Sequence, residues 1–212
     1  GNLVVSITFL SAVLQTLLAT VLAFLLAAAI ALPVGILLGA SRAAERVSSG
    51  LIEVLRPVPA IALLPVAILW LGIGAELKIA LAGFAALWPL LINAIAGVRD
   101  ADAVMVRTGR SFTWSAAAVM ARVQLPAALP FIVAGARQSI SVSLVIAVTL
   151  ELLGARGGIG DVIRQYSAAG RVDYVFAGVV ATGILGLLLH GALVQIERRL
   201  MHWSPQYRKA TR

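Results

Sequence analysis

The stretch Val123–Gly135, VQLPAALPFIVAG, lies where a polar, arginine-bearing segment gives way to an apolar run. It contains two prolines, Pro126 and Pro130. Because proline lacks a backbone donor and resists continuing a helix, the stretch predicts that one helix ends here and another begins. The apolar residues that follow predict that the second helix lies in a membrane.

The composition of the whole chain is that of a membrane protein. Hydrophobic residues make up 61% of the 212 residues and charged residues 12%, whereas soluble domains have about 45–50% and 25%. The chain has no cysteines and two histidines, which excludes a disulfide scaffold and Cys-ligated metal sites and argues against a His-built one. We therefore expect an all-α, polytopic helical bundle in a lipid bilayer. The net charge of +8 then belongs to loops and does not indicate nucleic-acid binding.

Apolar segments indicate the membrane spans. A helix needs about 20 apolar residues to cross the hydrocarbon core, and four segments reach this length. A fifth is short enough to be re-entrant. In chain order the five are Ala12–Leu38, Ala60–Leu71 (the short one), Ile79–Val98, Phe131–Leu153 and Tyr174–Ile196.

Basic residues indicate the orientation of these spans. If the loops Ser41–Arg56 and Arg99–Arg122 and the C-terminal tail lie inside, twelve of the 17 basic residues are cytoplasmic and four are outside, as the positive-inside rule expects. The outer four are Lys78, Arg156, Arg164 and Arg171. The simplest arrangement is a single transmembrane domain, residues 1–212, with five spans, the N-terminus outside and the C-terminus inside. Because that number is odd and the chain begins with Gly1, we expect an additional N-terminal span to be missing.

Sequence motifs for catalysis are absent. The two lysines, Lys78 and Lys209, do not lie in a G-x-x-x-x-G-K-[ST] phosphate loop, and neither H-E-x-x-H nor G-x-S-x-G occurs. The glycine-rich GARGGIGD, Gly154–Asp161, follows a span with no strand before it, so we expect a flexible outer turn. The chain is therefore predicted to have no ATPase site and to bind no cofactor itself.

Polar residues inside spans are candidates for a translocation path, because burying them in lipid is costly. The candidates are Asn93, Arg137, Gln138, Ser141, Thr149 and Glu151. We expect Arg137 to snorkel toward the cytoplasmic interface and Glu151 to lie near the outer water. The alternative is that the hydroxyl and amide groups bond to their own helix or across helix interfaces.

The segment 99–125 is the longest polar stretch between spans. Its apolar residues Phe112, Ala116, Val119, Met120 and Val123 recur with helical spacing, which predicts one amphipathic helix. Such a helix could lie on the membrane surface or dock in a groove of a partner protein.

The same segment resembles the EAA loop of ABC-transporter permeases of the binding-protein-dependent importer class, with its pattern E-A-A-x-x-x-G-x9-I-x-L-P. Leu125 and Pro126 match L-P, and Val123 takes the isoleucine position. Arg107 replaces the glutamate and Thr113 the glycine. Further blocks resemble permeases for nitrate, sulfonates and taurine: IEVLRPVPAIALLPVAILWLGIG, WPLLINAIAGV, LPAALPFIVAGARQSI, ELLGARGGIGDVI and ERRLMHW.

The resemblance implies a type I ABC importer-like fold in a bacterial inner membrane. A second permease chain, identical or different, would pair with this one. Two cytoplasmic ABC ATPase subunits would bind ATP and Mg²⁺, and an extracytoplasmic binding protein would deliver a small, anionic solute such as nitrate, a sulfonate, taurine or bicarbonate. Arg107–Ala118 would form the coupling helix, and Pro126 and Pro130 its joint with the next span. The implied ATPase-coupling residues are Arg107, Gly109, Arg110, Phe112, Thr113, Trp114, Ser115, Leu125 and Pro126.

Two alternatives belong to other functional classes. A secondary transporter driven by an ion gradient would favour buried acidic residues or inverted repeats. The sequence offers few acidic residues within spans and no clear repeat. A membrane-embedded enzyme would need an acid–base or metal-binding group of residues that the sequence lacks. Arg107 and Thr113 indicate a specialised ATPase partner, pairing with a different permease chain, or sequence drift without consequence.

Overall fold

The computed structural model describes residues 2–112 and 114–200, and the side chains of 7–109, 111–112 and 114–199. Thr113, the side chain of Arg110 and the basic tail beyond Leu200 lie outside this part. The described chain is helical and contains no strand. Its helices are α1 Asn2–Ala40, α2 Arg42–Leu55, α3 Leu64–Leu71, α4 Ala75–Arg99, α5 Ala103–Ser111, α6 Ala116–Val119, α7 Leu125–Leu152, α8 Ile159–Ala168 and α9 Val172–Leu200.

Within the part of the chain that the structure describes, four helical stretches are long and apolar enough to cross a membrane: Ile7–Ala40, Ala75–Arg99, Ala116–Leu152 and Val172–Arg199. Each contains, to within one residue, one of the four long segments predicted from hydropathy. The stretches extend beyond those segments because helical backbone continues into the polar flanks, where hydropathy gives no signal. The sequence thus predicted these four spans correctly.

The fifth predicted span, Ala60–Leu71, is not a continuous helix. Ala60–Leu63 forms a 3₁₀ turn and α3 has only eight residues, about 12 Å of helix at 1.5 Å per residue. It follows α2 across a break that contains Pro57 and Pro59. A fifth crossing exists only if α2 and the Ala60–Leu71 segment together form one broken span.

Pro126 and Pro130 do not end a helix, so that prediction was wrong. The backbone is helical from Ala116 to Leu152, and Pro130 lies inside α7. A π-helical turn, Met120–Gln124, precedes Pro126. There the N–H of Leu125 donates to the carbonyl of Met120, five residues earlier. Such a turn changes the helical register locally, and the helix passes both prolines without stopping.

The described residues cluster into two compact units. The first unit draws on Gly1–Ala27, Val58–Leu87 and Ser139–Ala192, and the second on Ala28–Pro57, Trp88–Gln138 and Leu193–Arg212. Helices α1, α4, α7 and α9 each contribute residues to both units.

In the first unit the helices pack through small residues. The buried side of α1 carries Ala12, Thr16, Ala19, Ala23 and Ala27, each less than 5% exposed. Its large residues face outward, among them Leu10, Leu14, Leu18, Leu22 and Leu25. This inside-out distribution is typical of helices in lipid, where close backbone approach rather than burial of large side chains drives packing.

In the second unit, glycines bring helices together in the same way. A Cβ on Gly35 would lie 2.6 Å from the Ala94 Cβ, and one on Gly39 would lie 2.8 Å from the Val98 Cβ. Helix α1 therefore approaches α4 more closely there than any larger residue would permit. Gly97 has a comparable contact with Ala128, on α7.

Candidate functional site

The predicted coupling segment begins with a capped helix. The Asp102 carboxylate accepts a hydrogen bond of 2.7 Å from the Val104 N–H and so caps the start of α5. Helix α5 ends at Ser111 and carries Arg107, whose side chain is exposed. A short turn follows before the next helix.

The prediction of one helix over Arg107–Ala118 was wrong, because the helix ends at Ser111 and a new one begins after Ser115. Ser115 has extended backbone, with φ −61° and ψ 155°, and its hydroxyl accepts a hydrogen bond of 3.2 Å from the Ala118 N–H. Serine in this conformation is an N-cap, so a new helix starts at Ala116. Phe112 consequently lies in the turn and not on the helical stripe that its spacing suggested.

The described residues between α5 and α6 are Phe112, Trp114 and Ser115, and we call this segment the α5–α6 turn. It packs on α5 and also exposes an apolar side chain. Trp114 packs against Gly109, where a Cβ would come 3.2 Å from its ring atom Cε3. The Arg122 guanidinium lies 5.2 Å from the Trp114 ring centroid, within cation–π range. Phe112 is 69% exposed, and Val104 and Met105 on α5 are also exposed. Leu125 and Pro126 are half-buried at the start of α7.

The path candidates of the second unit are engaged in helix contacts. The Asn93 amide donates to the Pro89 carbonyl of its own helix at 2.8 Å, and its Cβ faces Gly135 on α7. Gln138 is exposed. Asn93 thus makes the kind of intrahelical hydrogen bond that the structural alternative expects.

Arg137 forms an ion pair with Glu197, which lies near the C-terminal end of α9. Snorkelling of Arg137 toward the cytoplasmic interface stays a prediction. Glu197 is only 3% exposed, and a buried carboxylate needs a cationic partner nearby. Sequence reasoning missed Glu197, which lies 60 residues away along the chain.

In the first unit, Thr149 bonds to its own helix, donating to the Val145 carbonyl at 2.7 Å. Ser141 is exposed. Ser139, which was not among the predicted path residues, is fully buried and donates to the Ala86 carbonyl of α4 at 2.6 Å. The hydroxyls of Thr149 and Ser139 therefore make structural hydrogen bonds, within a helix and between helices.

Glu151 differs from the other candidates and from its own prediction, because it is fully buried and not near water. Its carboxylate accepts hydrogen bonds from the Lys78 ammonium at 3.0 Å and from the Thr16 hydroxyl at 2.9 Å. The Gly160 N–H donates a further bond of 3.0 Å. We call Glu151, Lys78 and Thr16 the buried polar cluster. It joins α7, α4 and α1 to the start of α8.

The loop after Glu151 is held by this cluster and is not the freely flexible turn that the sequence predicted. Lys78 also donates to the Gly157 carbonyl at 2.8 Å, and Thr16 accepts from the Ile159 N–H at 2.8 Å. Gly158 has φ +105°, and a Cβ there would overlap the Glu151 carboxylate. The glycines of GARGGIGD are thus what allows the loop to fold over Glu151.

Asp161 fixes the other side of this loop. Its carboxylate accepts bonds from the Gly157 N–H at 3.0 Å and from Arg164 at 2.6 Å. Burial raises the pKa of Asp161, but hydrogen bonds from Arg164, Gly157 and Gln165 outweigh burial and hold the pKa below its usual value of 3.8.

Sequence reasoning did not identify Lys78 and Thr16 as partners of Glu151, since they lie 73 and 135 residues away along the chain. One signal was available. Lys78 and Glu151 were both predicted at the outer ends of spans, and opposite charges at the same level of a membrane tend to pair.

Comparisons with known proteins agree with this architecture. Residues 31–202 match the family described as "Binding-protein-dependent transport system inner membrane component". The chain is 37% identical over 153 residues to the taurine transport system permease protein of Escherichia coli (strain K12), covering 72% of this chain and 56% of that one. It is 33% identical over 167 residues to the putative aliphatic sulfonates transport permease protein of the same strain, covering 79% and 64%. The chain thus spans less than two thirds of the length of these relatives.

Solved structures show the same fold at lower identity. An inward-facing structure of the MetNI methionine ABC transporter superposes with a TM-score of 0.82 and 22% identity, over 93% of this chain and 98% of that one. A crystal structure of an amino acid ABC transporter with histidines gives 0.76 and 19%, over 93% and 96%. The predicted fold class, an all-helical bundle of the type I ABC importer kind, is confirmed.

Proposed function

The chain belongs to the family of binding-protein-dependent transport system inner membrane components, and we propose that it is the permease subunit of an ATP-driven importer. Family membership over residues 31–202 is the observation that carries this proposal. The lipid-type packing of α1 and the four long apolar helices support it. We place the protein in the plasma membrane of a bacterium, as a multi-pass subunit paired with a second permease chain.

ATP hydrolysis is assigned to partner subunits. The sequence has no phosphate-binding loop, so two cytoplasmic ATPase subunits would bind ATP and Mg²⁺. An extracytoplasmic binding protein would bring the solute to the outer mouth.

We assign the contact with the ATPase to the segment 103–125, through the α5–α6 turn. The turn is compact, since Trp114 packs on Gly109 and against Arg122. It also exposes Phe112 with Val104 and Met105. Exposed aromatic and apolar side chains on a rigid support are the usual anchors of protein interfaces. Motion of the ATPase pair would reach α7 through the uninterrupted helix Ala116–Leu152.

The solute proposed is a small organic anion of the sulfonate type, because the taurine and sulfonate permeases named above are 37% and 33% identical to this chain. Taurine and a simple alkanesulfonate are the first compounds to test. Asn93 and Thr149 bond within their own helices and Glu151 is buried, so we do not assign a solute-binding residue among them.

The test is uptake into proteoliposomes that contain this chain, its paired permease if one exists, its ATPase and its binding protein. We expect taurine or alkanesulfonate to accumulate only with ATP, and the ATPase to co-purify with the permease. An ATPase-site variant of the partner serves as the control. Uptake that persists without ATP and disappears with an ionophore would instead support the secondary-transporter alternative.

A further inference from the structure

Helix α8 has no N-cap of its own. The residue before it is Gly158, which offers no side chain, and the first N–H groups of a helix need acceptors. The acceptors come from other helices. Thr16 of α1 accepts from the Ile159 N–H, and Glu151 of α7 accepts from the Gly160 N–H. The start of α8 is therefore completed by residues that are distant in sequence.

The charge on Glu151 is balanced on two sides. Lys78 supplies a full positive charge at 3.0 Å, and the first turn of α8 supplies the partial positive charge of a helix N-terminus. The side chains of Lys78 and Glu151 are 3% and 0% exposed. An ion pair buried this deeply gives little net stability compared with apolar residues of similar size. Its contribution must therefore be sought in the geometry that it imposes.

The surroundings of the cluster are apolar and closely packed. Leu77, Leu81, Leu150 and Ala155 form a buried cluster. Leu77 and Leu81 lie on α4 near Lys78, Leu150 precedes Glu151 on α7, and Ala155 lies in the loop before α8. Gly160 lies so close to α7 that a Cβ would come 2.5 Å from the Val148 carbonyl and 2.7 Å from the Glu151 Cβ. Helix α8 thus begins in direct contact with α7, at a distance that only glycine permits.

A second contact fixes the middle of α8. Ile163 is buried and packs against Gly178 of α9, where a Cβ would lie 3.8 Å from the Ile163 Cβ. Helix α8 is consequently held at its start by α1 and α7 and one turn later by α9. All these residues belong to the first unit.

We propose that Lys78, Glu151 and Thr16 are positioning residues that keep α8 docked on the membrane helices through the whole transport cycle. Helix α8 then moves as one body with the parts of α1, α4, α7 and α9 that belong to the first unit, and it does not swing as a gate. The proposal rests on the proposed function for the cycle itself. The docking of α8 in the resting protein does not depend on it.

A cysteine pair tests whether α8 moves. The natural chain has no cysteine, so Ile163→Cys with Gly178→Cys introduces a single possible disulfide. Its expected Cβ–Cβ distance is near 3.8 Å, in the usual range for a disulfide, and the shorter cysteine leaves room for the new side chain. We expect the disulfide to form in membranes. ATP-driven uptake should continue at a rate within about twofold of that of the reduced protein, because in this proposal transport requires only the docked state of α8.

Two results would overturn the proposal. Uptake that stops on oxidation and returns on reduction would show that α8 must leave α9 during transport. Failure of the disulfide to form would show that α8 is not docked as described. The single variants Ile163→Cys and Gly178→Cys, treated identically, control for effects of substitution and oxidation.

A second experiment tests the polar cluster itself. The double variant Lys78→Met with Glu151→Leu replaces the ion pair by apolar residues of similar size, which buried sites often tolerate. If the ion pair only stabilised the fold, this replacement would leave disulfide formation and uptake unchanged. We expect normal assembly, but a docked-to-undocked ratio of α8 lower by roughly tenfold, which corresponds to 1.4 kcal/mol. The readout is the rate of disulfide formation in the Ile163→Cys, Gly178→Cys background, with uptake reduced in parallel.

The variant Thr16→Val keeps the shape of the side chain and removes only its hydrogen bonds to Ile159 and Glu151. It serves if the double variant does not assemble, and we expect it to slow disulfide formation in the same direction. Wild-type cross-linking and uptake in either assembled variant would refute the positioning role. Cross-linking needs neither solute nor ATP, so a protein that cross-links as expected but imports nothing in its reduced form either would refute the proposed function alone.

Discussion

The indole ring of Trp114 packs directly on Gly109, and a Cβ at Gly109 would come within 3.2 Å of its Cε3 atom and 3.3 Å of Val119 Cγ2. This contact sets the shape of the α5–α6 turn, because Gly109 lies before the helix break at Ser115 whereas Trp114 and Val119 pack on it from the segment around and after the break. The turn is the part of the chain that we assign to the ATPase.

Gly109→Val should therefore distort the turn. Overpacking of this kind costs about 1–3 kcal/mol, and the loss is local because Gly109 lies near the end of the short helix α5. We expect the permease to assemble but to co-purify with less ATPase and to import more slowly. Gly50→Ala is the matched control, since a Cβ at Gly50 meets nothing within 4 Å. Equal ATPase binding by the two variants would contradict the prediction.

Phe112→Asp tests the exposed tip without disturbing the fold. Phe112 is 69% exposed, and substitutions at such positions usually change stability by less than about 0.5 kcal/mol. An aromatic interface anchor, by contrast, typically contributes about 2 kcal/mol or more to binding. We expect at least a tenfold weaker association with the ATPase, measured by binding to the purified permease. Phe112→Tyr should retain most of the association, and if Phe112→Asp does so too, the tip is not the contact.

Gly158→Ala and Gly154→Ala separate backbone strain from contact with the buried polar cluster. Both glycines have positive φ, +105° and +111°, so each alanine carries a strain of about 1–3 kcal/mol. Only at Gly158 would the Cβ also overlap the Glu151 carboxylate, while at Gly154 it meets nothing within 4 Å. We expect Gly158→Ala to lower the midpoint of thermal unfolding in detergent clearly more than Gly154→Ala. Similar midpoints would show that the loop can relax away from Glu151.

Asp161 predicts a dependence of stability on pH. Its pKa in the folded protein is lowered from 3.8, so its charged form is favoured by folding. The resulting stability is fully present above about pH 3.8 and is lost as the pH falls through the lower, folded-state pKa. Asp161→Asn should be less stable than the natural protein at neutral pH, and the difference should shrink in acid. Thermal unfolding midpoints of both proteins across this pH range provide the measurement, and a difference that grows in acid would contradict the assignment.

Hydropathy was sufficient to predict the long helices, because a helix that crosses lipid has to be predominantly apolar along its whole length. The segments Ala12–Leu38 and Tyr174–Ile196 meet this requirement. The same signal failed at Ala60–Leu71. There the apolar residues are present, but Pro57 and Pro59 break the chain before them, and α3 is too short to cross alone.

Around the coupling segment, the sequence contains conflicting signals for where helices begin and end, and the prediction followed the wrong ones. The helical spacing of Phe112 and Ala116 suggested one helix, yet the N-cap at Ser115 starts a new one. Pro126 and Pro130 suggested a break, yet the π-helical turn before Pro126 allows the helix to continue. A serine followed by alanines was a readable start signal, whereas the π turn has no comparable sequence signature.

The buried polar cluster was the least predictable part of the candidate site. Each of its members is ordinary within its own segment, and only the tertiary fold brings Thr16, Lys78 and Glu151 together. The same holds for Glu197 and Arg137. An acidic residue in a membrane helix indicates that a partner exists, but sequence distance gives no indication of which one.

The cluster also has a consequence for the order of assembly during synthesis. Thr16 and Lys78 leave the ribosome long before Glu151 and the first turn of α8, from which Thr16 is separated by 143 residues. Until those residues arrive, Lys78 has no counter-charge in the cluster and is best solvated at the membrane surface, since an unpaired ammonium group is costly in lipid. Burial of Lys78 and closure of the first unit therefore have to follow the entry of α7. The last turn of that helix completes a site whose first member, Thr16, was synthesised 135 residues before Glu151.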